Sequence, residues 1–360
     1  MVKRIMGVKL FSEKDLVEKA KKSITSILSG IPFFEIKGTK SSVIIENKKF
    51  DLVIDVFTFS KQAKFIVEIK SQGEPRFVRM AVAELKDSLK KFRNSYGIVI
   101  APYLSDNSRQ VCMEAGIGCL DIAGNALLSF KNFFIDIRGR PNPFTSVRFS
   151  KSVFSPKSSR ILRVFLSAPS KGWYVRDLSK EACISIGLTS RVKNALISEE
   201  LIKQENKSLY LVKPEELLKQ WADNYSYEKN QIFSFYSGLS EEQLETTIKK
   251  ECEKRRYNYG LALFTGARKV APFVRFMRFF SYVDGDIEGI ADDLQMKSVV
   301  SGANVILLRP YDDGVFYDLQ NIKGINIVSD IQLYIDLKSY KGRGEEAAQT
   351  IFEQRIKPKW

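Results

Sequence analysis

The chain has 360 residues, 44% hydrophobic and 28% charged, a composition that excludes a disordered or low-complexity protein. Its 57 Lys and Arg outnumber 42 Asp and Glu, for a formal net charge of +15, and it has no histidine. Without histidine, Ser-His-Asp and Cys-His catalysis, imidazole acid–base chemistry and His-containing zinc sites are excluded.

In chain order, residues 12–29 read as a helix, with Ser12 as N-cap, apolar positions Leu16, Val17, Ala20, Ile24 and Ile27 at helical spacing, and Gly30 to end it. Strand-like runs follow at 42–46, 51–57 and 65–70. Residues 77–93 read as a helix, 97–101 as a buried strand, 105–115 as a helix, 118–122 as a short strand and 126–137 as strand pieces. This order predicts an α/β domain over 1–145 with a central sheet. The loop chemistry of 139–145 (GRPNPFT) marks its end. Residues 150–214 change character. Helices are predicted at 156–167, 175–183 and 186–198, the last capped by Ser185, and then a hairpin over 201–212 with a polar tip at Glu205–Ser208. Three helices followed by a hairpin is the winged helix-turn-helix pattern. Residues 215–234 read as helix and connector, 240–256 as a charged helix. Strand-like and helical pieces then alternate (260–265, 267–280, 281–284, 286–295, 304–309), closing with a helix over about 331–356. The fold class expected is thus α/β and α+β multidomain, with a third, α/β domain over 225–360.

The charge is unevenly spread. Residues 1–150 carry 25 basic and 15 acidic residues, a net +10; residues 151–220 carry 13 and 7, a net +6; residues 221–360 carry 19 and 20, a net −1. A polyanion, most simply double-stranded DNA, is the partner this favours for the first 220 residues over a merely solvated basic surface. Cys112, Cys119, Cys183 and Cys252 show no CxxC spacing and fit a reducing compartment. No apolar run approaches the length of a membrane span and no leader pattern opens the chain, so a cytoplasmic protein without a membrane partner is expected.

Two constellations carry chemistry. Asp51 opens one strand, and Glu68-Ile69-Lys70 closes the next. Glu68 and Lys70 share a strand face, as do Asp51 and Asp55, so adjacent strands can unite two carboxylates and an ammonium. Asp51 and Glu68 could hold Mg²⁺, which prefers oxygen ligands, and Lys70 could orient water or stabilise phosphoryl charge. These residues resemble the PD-(D/E)XK nuclease-like superfamily, a restriction-endonuclease-like fold, although Phe50 stands where the name-giving motif has Pro. The resemblance implies Asp51, Glu68 and Lys70 as catalytic residues if the site is active. It implies Glu18 as an accessory acidic residue, and it places Glu84 where some members have Gln. The alternative is that Glu68 and Lys70 are an exposed alternating face of a half-buried strand. In the second constellation, Leu188, Val192, Ala195 and Leu196 form the apolar stripe of the 186–198 helix. Thr189, Ser190, Arg191, Lys193 and Asn194 lie on its other face, where they can reach phosphates or base edges. Lys203, Lys207 and Tyr210 sit on or near the wing, with Arg160, Arg163 and Lys171 as further charge. DNA binding by such a module requires no cofactor. Thr265-Gly266 with Asp284-Gly285-Asp286, and Asp312-Asp313-Gly314, read as turns rather than as a nucleotide site.

A run of segments in order is more specific than either motif. It comprises YGIVIAPYLS, GIGCLDIAGNALLSF and GRPNPF within 97–143, FSPKSSRILRVFL leading into the predicted winged helix, PFVRFMRFFSYV at 272–283, SGANVILLRPYDDGVFY at 301–317, and VSDIQLYIDLKSYKGRGEEAA from 328. Together they resemble the AbiEi-like antitoxin and transcriptional-regulator family of type IV toxin–antitoxin systems, in its larger branch with an N-terminal nuclease-like domain, over about 30–355. The resemblance implies an antitoxin that represses its own promoter through the winged helix, with a nucleotidyltransferase-like toxin as the family's usual counterpart. A homodimer is expected on separate grounds, because winged-helix repressors often read two half-sites. A Mg²⁺-dependent endonuclease in phage defence is the alternative. A pure interaction protein, whose basic face binds an acidic toxin, is a third class.

Overall fold

The computed structural model describes residues 11–31, 34–45, 48–58, 61–92, 94–143, 153–271 and 278–360. The chain forms two compact units, one of residues 1–146 with 198–200, the other of 147–197 with 201–360. The segments expected as a second and a third domain therefore share the second unit. Both units are mixed α/β.

In the first unit, helix α1 (Glu13–Ser29) starts where Ser12 accepts the Asp15 amide. Seven strands follow, β1 (Phe34–Ile45), β2 (Lys48–Thr58), β3 (Lys61–Ile69), β4 (Ser95–Ala101), β5 (Gly118–Asp121), β6 (Ala126–Phe130) and β7 (Phe133–Ile137), and they pair in that order in one sheet. The pairs β3–β4 and β4–β5 are parallel and the others antiparallel. The two parallel steps need crossovers, supplied by α2 (Pro75–Leu89) and α3 (Asp106–Glu114). Alternation along the strands separates two cores. Leu52, Ile54, Val56, Phe65 and Val67 pack with Ala20, Ile24 and Leu28 of α1. Val53, Ile66 and Val99 pack with Val78, Ala81 and Leu85 of α2. Burial on both faces is why β2 to β4 read as near-continuous apolar runs.

β1 is longer than the 42–46 expected from sequence. It is an edge strand with Lys37, Lys40 and a register irregularity between Ile36 and Gly38, so its first half lacks the apolar signature of a central strand. Glu46, Arg93 and residues 144–152, on which parts of the sequence reading fell, lie outside the described residues.

In the second unit, α4 (Pro156–Ser167), α5 (Val175–Glu181) and α6 (Ile186–Ser198) precede a hairpin of β8 (Ile202–Glu205) and β9 (Ser208–Leu211). Asn206 and Lys207 both have positive φ, as a tight two-residue turn between twisted strands requires. Trp173 exchanges both backbone hydrogen bonds with Leu209, adding a third short arm to the hairpin. After α7 (Pro214–Asp223) comes β10 (Gln231–Tyr236), where the sequence suggested only a connector. A second seven-stranded sheet joins β10 to β11 (Tyr259–Leu261), β12 (Phe279–Val283), β13 (Lys297–Ser298), β14 (Val305–Arg309), β15 (Gln320–Ile322) and β16 (Ile325–Ile327), in the order β13-β10-β14-β12-β11-β16-β15. Helices α8 (Glu241–Arg255), α9 (Leu263–Val270), α10 (Ile287–Asp293), α11 (Asp330–Lys338) and α12 (Gly344–Ile351) accompany it. One hydrophobic core runs from Val153 through the three-helix segment and this sheet to Ile356.

Two expectations are corrected here. The element read over 267–280 is the end of α9 and the start of β12, with 272–277 outside the described residues; all five β12 residues are buried, a central strand whose continuous apolar run mimics a helix. The terminal helix is broken between Lys338 and Gly344. Gly342 takes φ +88°, and a Cβ at Gly344 would overlap the Leu337 carbonyl, so the chain folds back on itself there.

At the centre of this core, the Asp336 carboxylate is fully buried. Its Oδ1 accepts Tyr225 Oη (2.6 Å), Gln332 Nε2 (2.7 Å) and Tyr282 Oη (3.0 Å), while Oδ2 has no partner. Burial outweighs these hydrogen bonds and pushes the carboxyl up to about 7. A carboxyl with a raised folded-state pKa favours the folded form while it is protonated. Its contribution is fully present below the ordinary carboxylate range and is lost as pH rises towards about 7. Thermal melts between about pH 4 and 7 should therefore show a decline in stability that Asp336→Asn flattens; parallel curves for the two proteins would show that Asp336 does not titrate in this window.

Candidate functional site

In the first unit the sheet carries Asp51, Glu68 and Lys70 to the α2 side. β2 and β3 pair antiparallel with Leu52 opposite Val67, which brings Asp51 beside the end of β3, and Asp51 Oδ2 accepts the Ile69 amide at 2.8 Å. The Lys70 amide donates to Ile100 O (2.9 Å), extending the β3–β4 ladder to that residue. Glu68 follows Ile66 by two residues and so shares its α2-facing side. Lys70 Nζ donates to Glu68 Oε1 (2.9 Å) and to Glu84 Oε2 of α2 (3.1 Å). Lys48 Nζ donates to the Glu84 carbonyl (2.8 Å), tying β2 to the same turn of α2. Asp51, Glu68, Lys70 and Glu84 are thus gathered at one rim of the sheet. Glu18 is not joined to them: it lies on the exposed side of α1, which covers the opposite face of the sheet.

The electrostatics are those of a crowded, half-buried set. Burial pushes the Glu68 carboxyl up, the Lys70 hydrogen bond pulls it down, and the neighbouring Asp51 charge raises it again. For Lys70, burial opposes the charged form, but the hydrogen bonds that it donates to Glu68 and Glu84 prevail and hold the ammonium above its ordinary value. Lys70 is therefore a fixed cation and a poor proton acceptor. Among the described residues no group of three or more Cys, Asp or Glu side chains is placed to hold a metal ion. Asp51 and Glu68 alone fit Mg²⁺ only in the form that keeps most of its waters, and their mutual repulsion is what a cation would relieve.

In the three-helix segment, α6 presents its sequence-predicted residues unequally. Arg191 and Asn194 are exposed, and Ser190 and Lys193 are half-buried. Asn194 already has an interaction within the chain. Thr189 is fully buried, and its Oγ1 donates to the Ser185 carbonyl at 3.1 Å. It stabilises the first turn of α6 and is withdrawn from the exposed set. Lys207 is exposed at the hairpin tip, and Lys203 is exposed but paired with Glu205 (2.9 Å). Arg160 and Arg163, expected as extra surface charge, are turned inward. Arg160 makes a forked pair with Asp312 (2.8 and 3.0 Å), and Arg163, 3% exposed, lies over the Trp221 ring. Sequence reasoning missed Arg176 and Lys180. They are exposed one helical turn apart on α5, beside exposed Tyr174. Their i, i+4 spacing around buried Leu178 was the available signal.

The Asp-Gly motifs are structural. Asp284 accepts the Asn258 amide and side chain, Asp286 caps α10, and Asp312 accepts the Gly314 amide. Thr265 is buried in α9 and accepts the Phe280 amide.

Residues 210–357 match the family described as "Transcriptional regulator, AbiEi antitoxin, Type IV TA system". This is the family that the ordered run of segments resembles, and the match takes in the whole second sheet. No curated protein matches the chain. Similar solved structures include a repair endonuclease from Pyrococcus abyssi (12% identity, TM-score 0.24, covering 34% of this chain and 48% of that one). EndoMS in apo form (15%, 0.23, 34% and 48%) and an EndoMS complex with double-stranded DNA (12%, 0.22, 33% and 47%) are also similar. The aligned parts span about half of those chains.

The Lys70 contacts yield a direct prediction. Lys70→Met removes the hydrogen bond that lowers the Glu68 pKa, so the Glu68 midpoint should move up in a carbon-13 carboxyl titration. An unchanged or lower midpoint would show that the Glu68–Lys70 pair is not formed.

Proposed function

We propose that this protein is a DNA-binding transcriptional regulator of the AbiEi antitoxin type, which represses its own promoter through a winged helix formed by α4–α6 and the β8–β9 hairpin. The observation that carries this reading is the polar face of α6, with Arg191 and Asn194 exposed and Ser190 and Lys193 half-buried, in a segment that also exposes Arg176 and Lys180 on α5. Residues 151–220 also carry a net +6. In this reading α6 enters the major groove of double-stranded DNA, Arg191 reads a base edge, and Arg176, Lys180 and Lys207 contact phosphates. The antitoxin match over 210–357 supports the regulatory role. A toxin resembling nucleotidyltransferases is its counterpart, the cytoplasm its compartment, and a homodimer its form on two half-sites. Among the described residues no helix is long and apolar enough to cross a membrane.

A second reading is favoured by the convergence of Asp51, Glu68 and Lys70, namely a metal-dependent endonuclease acting on DNA in phage defence. Mg²⁺ would polarise the scissile phosphate. Asp51 and Glu68 would hold it, and Lys70, kept charged by Glu68 and Glu84, would stabilise negative charge on the phosphate rather than take a proton.

One gel experiment separates the readings. The protein is incubated with supercoiled DNA from its own upstream region, with Mg²⁺ or EDTA, beside Arg191→Ala and Lys70→Ala. The regulator reading expects a metal-independent shift of intact DNA, weakened in Arg191→Ala by about 1–3 kcal/mol and falling steeply with salt. A Mg²⁺-dependent cut lost in Lys70→Ala would establish the endonuclease. A shift untouched by Arg191→Ala would refute α6 as the reading helix.

A further inference from the structure

The edge of the second sheet is incomplete in a specific way. β13 pairs with β10 only at Phe235–Ser298 and Tyr236–Lys297, and the Val299 amide adds one more bond to Ser234 O (3.1 Å). The chain then turns away: Val300 is fully exposed and Gly302 takes φ +75°. Residues 231–233 of β10 consequently pair with β14 alone. Beside this open stretch runs a groove of about 440 Å³ between β10 and α10. Its apolar lining includes Ile232, 40% exposed, with Ala291, Met296 and Val299. The charged side chains that line it are Glu288 and Asp292, exposed and one helical turn apart on α10.

Among the described residues neither Glu288 nor Asp292 makes an ion pair, whereas the adjacent Asp293 is held by Arg255 (2.6 Å) and Lys254 (3.7 Å). Like charges at i, i+4 repel, and Asp292 stands near the helix C-terminus, where the backbone dipole disfavours a negative charge. An acidic lining also repels phosphates, so this groove is unsuited to nucleic acid.

We propose that the β10 edge and the α10 groove form a docking site for an extended segment of a partner protein with alternating apolar and basic side chains. The segment adds as a strand along residues 231–233, in the place that the chain vacates after Val299. Its backbone supplies ladder hydrogen bonds, an apolar side chain enters beside Ile232 and Met296, and a Lys or Arg meets Glu288 and Asp292. This surface uses none of the residues assigned to DNA and does not depend on that reading.

The test uses the full chain without DNA and a short fluorescent peptide of alternating valine and lysine, followed by anisotropy. Binding is expected that weakens with salt and drops about three- to tenfold in the Glu288→Gln/Asp292→Asn protein. The same peptide N-methylated along one edge should lose binding, because it cannot pair with a strand, and a valine–glutamate peptide should not bind. Absence of binding, equal binding to the double variant, or equal binding of the N-methylated peptide would each overturn the proposal. The two substitutions lie on exposed positions, and unchanged melting of the double variant shows that any loss is local.

Discussion

The register between β2 and β3 is the constraint on which the first unit depends. Leu52 faces Val67, and the side-chain period of two then sends Leu52, Ile54 and Val56 to α1 and Val53 and Ile66 to α2. A slip of one residue would exchange every pair of faces and drive apolar side chains into water. The same register delivers Asp51, Glu68 and Lys70 to the rim under α2, where Glu84 waits. The apolar core therefore places the polar cluster, which could not hold this geometry alone. Half-buried carboxylates repel one another, and the two contacts of Lys70 with Glu68 and Glu84, with the Ile69 amide on Asp51, offset that repulsion.

In the second unit the governing fact is a shared core. The three-helix segment has its own apolar stripe, but that stripe continues into the second sheet without a break. Arg160 and Asp312, Tyr317 and Glu181, and the Trp360 indole on the Leu166 carbonyl join elements far apart in sequence. The basic residues of the three-helix segment divide accordingly, with Arg160 and Arg163 in the joint and Arg176, Lys180 and Arg191 in solvent.

Much of this was legible in the residues. Ser12, Ser105 and Ser240 cap helices that the sequence predicts, Pro156 opens α4, and the polar tip of the hairpin falls where two residues must take positive φ. These are local signals, and local chemistry decides them. The shared side of Asp51, Glu68 and Lys70 is legible because strand alternation fixes the side to which a residue points. Strands β10, β15 and β16 were missed because short strands owe their existence to neighbours, and the terminal helix was overextended because its break depends on backbone packing around Gly344.

The sequence by itself determined the helix starts at Ser12, Ser105, Pro156 and Ser240, the alternation of the central strands, the basic excess of the first 220 residues and the chemistry available without histidine, since each follows from residue type and spacing along the chain. Only the tertiary structure decided that Thr189 and Arg163 are buried, that Arg160 is half-buried against Asp312, that Glu18 stands apart from Asp51, and that Lys70 is claimed by two carboxylates. The physical reason is that solvent exposure and ion pairing are properties of what lies opposite a side chain, and residues far apart in the chain supply that opposite surface.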